Sequence, residues 1–358
     1  MIKEVKKIKT PPGMHGWNFS RKKEKEARKE GKMLMMYLDF TAVCDLRCIY
    51  CQTRSGKPLP GELNWEERKN VIDQAKELGC ETIHIAGQGE PTIDPLFWKT
   101  IEYIRKKDII PVVFTSGMHI DKSFAKRLFD LDVSIIIKIH SFDPKNQDWL
   151  AGMRGYAKKR DIAIQHLFEV GFNKTYPTRI GGDTLIVRQN INEIPDIFRW
   201  ARNNNVFPEI KTLLSAHRGA SKFVKEKMAV SADEIRQLHY KCLKIDQEEF
   251  GYSWKPHPPY IGWYCDFYYY HMYVNIQGDI MPCVGWVLQP PLGNIKTHSL
   301  QEIWESPIMY KVRNIDKFLK GRCTKCLVDC YGCPCRRIFK TGKIESAFKS
   351  EGCWESNL

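Results

Sequence analysis

The chain lacks the features of a membrane or exported protein. None of its apolar runs approaches the roughly 20 residues that a membrane-spanning helix needs. Its basic N-terminus contains no apolar segment of the kind found in signal peptides. We therefore expect a cytoplasmic protein whose 13 cysteines serve metal binding or redox chemistry rather than disulfide bonds.

The chain also lacks a nucleic-acid-binding motif to accompany its positive charge. Lys and Arg number 56 against 42 Asp and Glu, which gives a formal net charge of +14 over 358 residues. No zinc-finger, RNP or helix-turn-helix pattern is present. Such a charge is compatible with an unspecialised basic surface, or with attraction of nucleic acid or of an acidic electron donor. We favour the unspecialised surface and do not expect nucleic-acid binding.

Three cysteines stand close together in segment 40–56, FTAVCDLRCIYCQTRSG, where Cys44, Cys48 and Cys51 have a CxxxCxxC spacing. Three thiolates on a loop that leaves a strand can hold one iron-sulfur cube and leave its fourth iron open to another ligand. Tetrahedral zinc normally requires a fourth Cys or His nearby, and this segment offers none. A structural zinc knuckle or a redox thiol pair remains the alternative.

The same spacing, with Tyr50 directly before the third thiol, resembles the signature of radical S-adenosylmethionine (radical SAM) enzymes. In that family the open iron binds the amino and carboxylate groups of SAM, and one electron from the cluster yields a 5′-deoxyadenosyl radical. The resemblance implies two cofactors, a 4Fe-4S cluster and SAM. It also implies flavodoxin or ferredoxin as the electron donor.

After residue 33, apolar runs alternate with amphipathic stretches, which predicts a parallel α/β sheet. The predicted strands lie near 34–40, 82–86, 109–114, 133–139, 184–187 and 209–214. The predicted helices lie near 65–78, 96–107, 122–129, 156–170, 194–203 and 232–245. Six such units suit the partial (β/α)6 barrel of the radical SAM family, in which functional residues follow the carboxyl ends of the strands.

We divide the chain into a basic N-terminal arm (1–32), a radical SAM core barrel (33–250) and a cysteine-rich C-terminal domain (251–358). Trp17 and Phe19 are the arm residues that could pin it to the barrel. The arm is too short for the peptide-binding winged-helix module that many peptide-modifying relatives carry.

Two strand ends carry motifs that are similar to those of the radical SAM family. The sequence GQGEP follows the second strand and resembles the family's GGEP motif, in which Gly87 and Gly89 allow close backbone approach to a ligand and Pro91 ends the motif. The resemblance implies that Glu90 accepts a hydrogen bond from the SAM ammonium group. The third strand ends in a TSG turn with Ser116 where the family commonly has Asn. On its own, GxGEP is also a common strand-to-helix turn.

Polar residues at the next two strand ends are candidates for contacts with SAM or substrate. By resemblance, the cofactor candidates are Lys138, Arg188 and Asn190. His140 titrates in a useful range, although a structural histidine is equally compatible with the pattern. The candidates for the base that takes the substrate proton are His140, Asp183 and Asp266.

A second cysteine pattern begins with Cys265, Gly278 and Cys283, spaced Cx12Gx4C around a predicted β-hairpin turn. The pattern continues with Cys323, Cys326, Cys330, Cys333, Cys335 and Cys353. Together they resemble the SPASM extension of radical SAM enzymes, although Cx2Cx3Cx2CxC replaces the usual Cx2Cx5Cx3C.

Eight cysteines in this region are enough for two fully ligated auxiliary 4Fe-4S clusters. By similarity, the distal cluster would use Cys323, Cys326, Cys353 and either Cys330 or Cys333. The proximal cluster would use Cys265, Cys283, Cys335 and, in one assignment, Cys333. A zinc domain built on the two CxxC pairs is the alternative.

The two resemblances imply an enzyme that removes a hydrogen atom from a substrate C–H bond, with auxiliary clusters able to accept an electron. Oxidative modification of a peptide or protein is the commonest characterised activity of SPASM relatives. Oxidation or epimerisation of a small polar molecule, such as a sugar or aminocyclitol, is the alternative and needs no peptide-binding module. A non-catalytic iron-sulfur or zinc protein that binds nucleic acid would leave the GxGEP motif unexplained.

Overall fold

The computed structural model describes residues 9–256, 258–263, 265, 267–286 and 289–320. The strands are β1 (Met35–Leu38), β2 (Thr82–Ile85), β3 (Ile110–Thr115), β4 (Ser134–Lys138), β5 (Ile180–Ile186), β6 (Phe207–Thr212), β7 (Tyr260–Ile261), β8 (His271–Val274), β9 (Asp279–Met281) and β10 (Gly293–Asn294). They form one sheet in the order β10-β9-β8-β1-β2-β3-β4-β5-β6-β7. Strands β1 to β6 run parallel to one another, and β7 is antiparallel to β6.

The helices are α1 (Arg21–Glu30), α2 (Trp65–Glu77), α3 (Phe97–Lys106), α4 (Lys122–Asp130), α5 (Pro144–Ala151), α6 (Tyr156–Val170), α7 (Ile194–Asn203), α8 (Lys222–Lys227), α9 (Ala232–Ile245), α10 (Leu300–Trp304), α11 (Pro307–Arg313) and α12 (Ile315–Phe318). The six predicted helices are confirmed to within one residue at each end. Side chains cap three of these six helices: Asn64 and Ser231 form capping boxes, and Asp121 caps α4.

This architecture confirms the predicted partial barrel, because six parallel strands alternate with helices and the sheet does not close on itself. Helix α5 was not predicted. The predicted hairpin is also present: β8 and β9 are antiparallel, and the turn between them contains Gly278 at a φ of +86°. No helix in the described ranges is long and apolar enough to cross a membrane.

The arm before α1 packs against the amino ends of the barrel strands. Trp17 is fully buried and stacks on His84 with ring centroids 4.6 Å apart. The carbonyl of Gly16 accepts hydrogen bonds from Thr82 Oγ1 at 2.8 Å and His84 Nε2 at 2.9 Å. A Cβ on Gly16 would lie 2.7 Å from Ile110 Cγ2, so the close approach requires glycine. Trp17 therefore occupies the pinning position that the sequence suggested.

The C-terminal part of the described chain joins the same sheet. Strand β8 lies beside β1 in parallel, with Met35 opposite His271, and Tyr273 donates a 2.5 Å hydrogen bond to Asp39. Tyr273 is buried in the core. The division into 1–32, 33–250 and 251–358 stays a prediction.

Candidate active site

One cavity lies at the carboxyl ends of strands β1 to β6 and brings together most of the predicted site residues. Those that line it are Cys44, Cys48, Tyr50, Cys51, Gly87, Gly89, Glu90, Pro91, Ser116, Lys138, Asp183, Cys265 and Cys283. Parallel strands deliver their carboxyl-end side chains to one edge of a sheet, which explains why segments distant in sequence meet here.

Residues that follow β6 hold the loop that carries the first three thiols through hydrogen bonds to its backbone carbonyls. Arg218 donates from Nε to the carbonyl of Cys48 at 3.1 Å and from Nη1 to the carbonyl of Ser55 at 2.9 Å. The backbone N–H of Gly219 donates to the carbonyl of Cys51 at 3.0 Å. Sequence reasoning missed Arg218, because an arginine in a short turn after a strand carries no distinguishing pattern.

The three thiols have different electrostatic surroundings. Burial raises the pKa of Cys44 to about 12 and also raises the pKa of Cys48. Burial acts in the same direction on Cys51, but hydrogen bonds with Thr53 outweigh it and lower the pKa of Cys51. Because iron binds thiolate and not thiol, loading this loop releases protons.

The donor set and the space around it fit an iron-sulfur cluster. Cys44, Cys48 and Cys51 line one cavity, and no three His, Cys, Asp or Glu side chains of the described part of the chain gather closely enough to hold a single ion. A cluster takes one thiolate on each of several irons, so its ligands need not converge on one point. These three thiols are therefore suited to hold the cluster.

The GxGEP turn packs directly on the cluster loop. Gly89 has a φ of +77° and donates its N–H to Ser55 Oγ at 2.8 Å, and Glu90 donates its N–H to the carbonyl of Val43 at 2.8 Å. A Cβ on Gly89 would lie 2.0 Å from the carbonyl oxygen of Thr41. Glycine is thus required here for both the backbone conformation and the close approach.

Replacing Gly89 by alanine should separate this turn from the cluster loop. We expect a loss of about 3 kcal/mol or more in unfolding free energy, from overpacking added to the cost of positive φ. Gly155→Ala is the matched control: its φ is +79°, but no atom lies within 4 Å of the added Cβ. That control should cost only about 1–2 kcal/mol. Chemical denaturation and bound iron would be measured, and equal losses in the two variants would contradict the contact argument.

Glu90 is buried and already well supplied with hydrogen-bond donors. Its Oε1 accepts from Thr92 Oγ1 at 2.7 Å and from Thr115 Oγ1 at 2.6 Å, and its Oε2 accepts from the backbone N–H of Ser116 at 2.7 Å. These bonds fix the carboxylate at the cavity wall. Contact of Glu90 with the SAM ammonium and of Ser116 with SAM stay predictions.

His140 supports Tyr50 from behind. The backbone N–H of Leu185 donates to His140 Nδ1 at 3.1 Å, which places the ring proton on Nε2, where it is bonded to the Tyr50 hydroxyl. Burial lowers the pKa of His140 to about 3, so the ring is neutral at physiological pH. These contacts match the structural alternative for His140, and its predicted role as the base has no support from this geometry.

Two predicted cofactor contacts lie away from the cavity lining. Arg188 is exposed and forms a two-pronged ion pair with Glu234. The Asn190 amide is buried and donates to the carbonyls of His140 and Leu185, both at 2.8 Å. Both side chains stabilise the loop after β5, and their predicted contacts with SAM stay predictions that the geometry does not support. Asp266 lies outside the described residues.

Four charged side chains form a strand-end charge cluster on the cavity wall: Lys138, Asp183, Glu209 and Lys211. Cross-strand register places Asp183 between Lys138 and Glu209. Asp183 Oδ2 lies 3.1 Å from Lys138 Nζ and its Oδ1 lies 3.0 Å from Lys211 Nζ, while Lys211 Nζ lies 2.7 Å from Glu209 Oε2. Sequence reasoning missed Glu209 and Lys211; their only signal is the i, i+2 spacing that puts both on one face of β6.

The two carboxyl groups of this cluster differ in charge state. Burial alone would raise the pKa of Asp183, but the ammonium groups of Lys211 and Lys138 reverse the effect and hold it well below its usual value. Burial, and then the charge of Asp183, raise the pKa of Glu209 well above its usual value. The same cluster therefore holds Asp183 as the carboxylate and shifts Glu209 towards the neutral acid.

Cys265 and Cys283 lie in the same cavity as the cluster loop, and both are half-buried. The backbone N–H of Gly285 points to Cys283 Sγ at 3.4 Å. The remaining predicted ligands lie outside the described residues: Cys323, Cys326, Cys330, Cys333, Cys335 and Cys353. Cys80 and Cys242 are fully buried in hydrophobic clusters, where free cysteine behaves as a small apolar residue.

Two family models match the chain. Residues 38–201 match the radical SAM superfamily, and residues 265–345 match the SPASM iron-sulfur cluster-binding domain. The first match contains all three thiols of the CxxxCxxC loop, and the second contains Cys265 and Cys283. Cys353 lies beyond the second match.

Characterised relatives resemble the chain at low identity. It is 26% identical over 202 residues to the mycofactocin maturase MftC of Mycolicibacterium smegmatis, which covers 56% of this chain and 49% of that protein. It is 23% identical over 322 residues to the tungsten-containing aldehyde ferredoxin oxidoreductase cofactor-modifying protein of Pyrococcus furiosus, covering 82% and 87%. The chain thus spans about half the length of the maturases it matches.

A solved structure shares the fold. Streptococcus suis SuiB bound to S-adenosylmethionine superimposes with a TM-score of 0.67 at 19% identity, over 93% of this chain and 80% of that chain. SuiB bound to its precursor peptide SuiA gives a TM-score of 0.66 at 18% identity, over 90% and 77%.

Proposed function

Because the chain carries a radical SAM domain followed by a SPASM iron-sulfur cluster-binding domain, we propose that it uses SAM to abstract a hydrogen atom from a substrate C–H bond in the oxidative modification of a peptide or protein. The observation that carries the proposal is the shared cavity, lined both by Cys44, Cys48 and Cys51 and by Cys265 and Cys283. A substrate in that cavity would have the site of radical formation and the first auxiliary cysteines on its two sides.

The cofactors supply the difficult chemistry: when bound, a reduced cluster on the CxxxCxxC loop gives one electron to SAM, and the resulting carbon radical takes the hydrogen atom. The protein positions the reactants and excludes water. The Tyr50–His140 pair and Arg218 fix the cluster loop, and the GxGEP turn fixes its other side. Reduced flavodoxin or ferredoxin is the proposed donor, and the cytoplasm is the proposed location.

Net oxidation also requires that the substrate lose a proton. Among the three predicted bases, Asp183 is the one whose carboxylate faces the cavity in the described structure and is ionised at neutral pH. Its two lysine partners make it a weak base, so its first task is to hold Lys138 and Lys211 in place against the substrate. The ammonium groups of Lys138 and Lys211 on the cavity wall favour a substrate with an anionic group near the reacting carbon.

A peptide substrate is supported by the names of similar proteins, since SuiB is described with its precursor peptide SuiA and MftC is a maturase. The Pyrococcus relative is named for modifying a cofactor, which keeps a small-molecule substrate as the second candidate.

The test uses reconstituted protein, SAM and dithionite with extracts of deuterium-grown host cells, separated into peptide and small-molecule fractions. We expect deuterium in 5′-deoxyadenosine only with the peptide fraction, and its loss after protease treatment of that fraction. Deuterium from the small-molecule fraction would favour the second candidate. Absence of 5′-deoxyadenosine under all conditions would contradict a radical SAM activity.

A further inference from the structure

Two large aromatic side chains are exposed in contact with each other on α5 and α8. Trp149 is 38% exposed and Phe223 is 48% exposed, and their rings meet edge to face with centroids 6.1 Å apart. Single exposed apolar residues are common on protein surfaces, but paired rings contributed by two helices form a patch that is able to anchor a partner.

The pair lies directly outside the cluster loop. The residues that follow Trp149 and Phe223, Leu150 and Val224, are buried in the same hydrophobic cluster as Cys48. The backbone N–H of Ile49 donates to the carbonyl of Leu150 at 3.1 Å, so α5 is hydrogen-bonded to the loop itself. The exposed rings therefore stand on helices whose next residues pack in the same hydrophobic cluster as the predicted iron ligand Cys48.

Positive charge surrounds these rings. Arg154, Lys225 and Lys227 are exposed and form no ion pair with any described residue. Two acidic side chains on the same segments are engaged: Asp148 accepts from the backbone N–H groups of Gly155 and Ala157, and Glu226 pairs with Lys222. The patch is therefore apolar at its centre and cationic at its rim, the usual anatomy of a transient interface.

We propose that this patch, the Trp149/Phe223 surface, docks an acidic protein that delivers single electrons to the cluster loop. The proposal rests on the proposed function, which requires one electron from outside for each SAM cleaved; the donor is oxidised by one electron as the cluster is reduced. A small acidic flavoprotein or ferredoxin fits on two counts. Its charge complements the lysines and arginine, and docking here places its redox group against the helices that pack on the cluster loop.

The test compares two sources of electrons. In the double variant K225E/K227E, half-maximal 5′-deoxyadenosine formation should require about tenfold more reduced flavodoxin, because the steering charge is reversed. The rate with dithionite, which needs no docking surface, should stay unchanged. The variant W149A/F223A should likewise require more flavodoxin while its rate with dithionite stays unchanged. Raising the salt concentration should raise the flavodoxin requirement of the wild type towards that of the charge variant, because salt screens the steering charges.

The matched control is K25E/K29E, which makes the same charge change on α1. That helix lies at the opposite end of the barrel, where Lys23 pairs with Glu81 just before β2. The control should depend on flavodoxin like the wild type.

Each other outcome would overturn the assignment. Equal flavodoxin dependence in all variants would place the donor elsewhere. A parallel loss with dithionite would mean that the patch supports the cluster loop instead, and a changed sedimentation coefficient would make it a contact between two copies of the chain. Failure of the wild type to cleave SAM with dithionite would instead reject the proposed function.

Discussion

Replacing Cys44, Cys48 and Cys51 together by alanine should abolish 5′-deoxyadenosine formation and remove about four irons per chain. If all three predicted clusters are present, the wild type should hold about twelve irons after anaerobic reconstitution, and the variant about eight. The loss should be confined to one cluster because the auxiliary cysteines belong to other segments of the chain, among them Cys265 and Cys283. Iron, sulfide and zinc would be measured on the same samples.

The control for this experiment is Cys80→Ala. Cys80 is also fully buried, and burial raises its pKa to about 12, but it packs in the hydrophobic core away from the cavity. The control should keep its iron and its SAM cleavage. About four irons and one zinc in the wild type would instead indicate a zinc-stabilised C-terminal region, and the auxiliary clusters would then have to be abandoned.

The second large expected effect is a difference in stability between variants of Asp183 and of Glu209, two carboxyl groups that both contact Lys211. Asp183→Asn leaves Lys138 and Lys211 without their shared counter-charge, and we expect a loss of about 3 kcal/mol in unfolding free energy. Glu209→Gln should cost less, about 1 kcal/mol, because the folded state already raises the pKa of Glu209 and Lys211 keeps the Asp183 carboxylate as its partner. Chemical denaturation of the two reconstituted variants would measure both values.

The two variants should also differ in their dependence on pH. Because the folded state raises the pKa of Glu209, it binds a proton that the unfolded chain has released, so this group lowers stability as pH rises above its usual value of 4.5. The unfolding free energy of Glu209→Gln should therefore rise relative to that of the wild type, by up to about 1.4 kcal/mol for each pH unit above that value. Asp183 has a lowered pKa, so its stabilising contribution is complete above its usual pKa and is lost only at lower pH. A pH-independent difference between Glu209→Gln and the wild type would contradict the raised pKa of Glu209.

The sequence predicted the barrel well because its strands and helices obey strong local rules. Apolar strand runs alternate with capped amphipathic helices, so element order and most boundaries could be read without tertiary information. Strand β5 is the exception, since it begins four residues before its predicted start at 184. Gly181 and Gly182 weaken the strand pattern there, and Gly181 packs tightly against the arm: a Cβ would lie 3.1 Å from Met14 Sδ, which would have to shift slightly.

Sequence spacing alone predicts the candidate site residues that belong to short motifs. It does not predict the residues that only the folded structure brings together. The CxxxCxxC loop and GxGEP are short motifs, so Cys44, Cys48, Cys51, Gly89 and Glu90 were identified directly. Glu209 and Lys211 gained their meaning only when the register of β5 and β6 set them beside Asp183. The position of Arg218 beneath the cluster loop depends on a long-range approach that no local pattern encodes.

The position of β1 has a consequence for shortened forms of the protein. This strand carries the chain into the cluster loop, yet one of its two hydrogen-bonding edges is filled by β8, where Leu38 lies opposite Val274. A fragment that stops before β8 would contain the CxxxCxxC loop and the GxGEP turn but would expose an unpaired, fully apolar strand edge. Such edges pair readily with other chains, so the radical SAM segment expressed alone should aggregate even though its motif residues are all present.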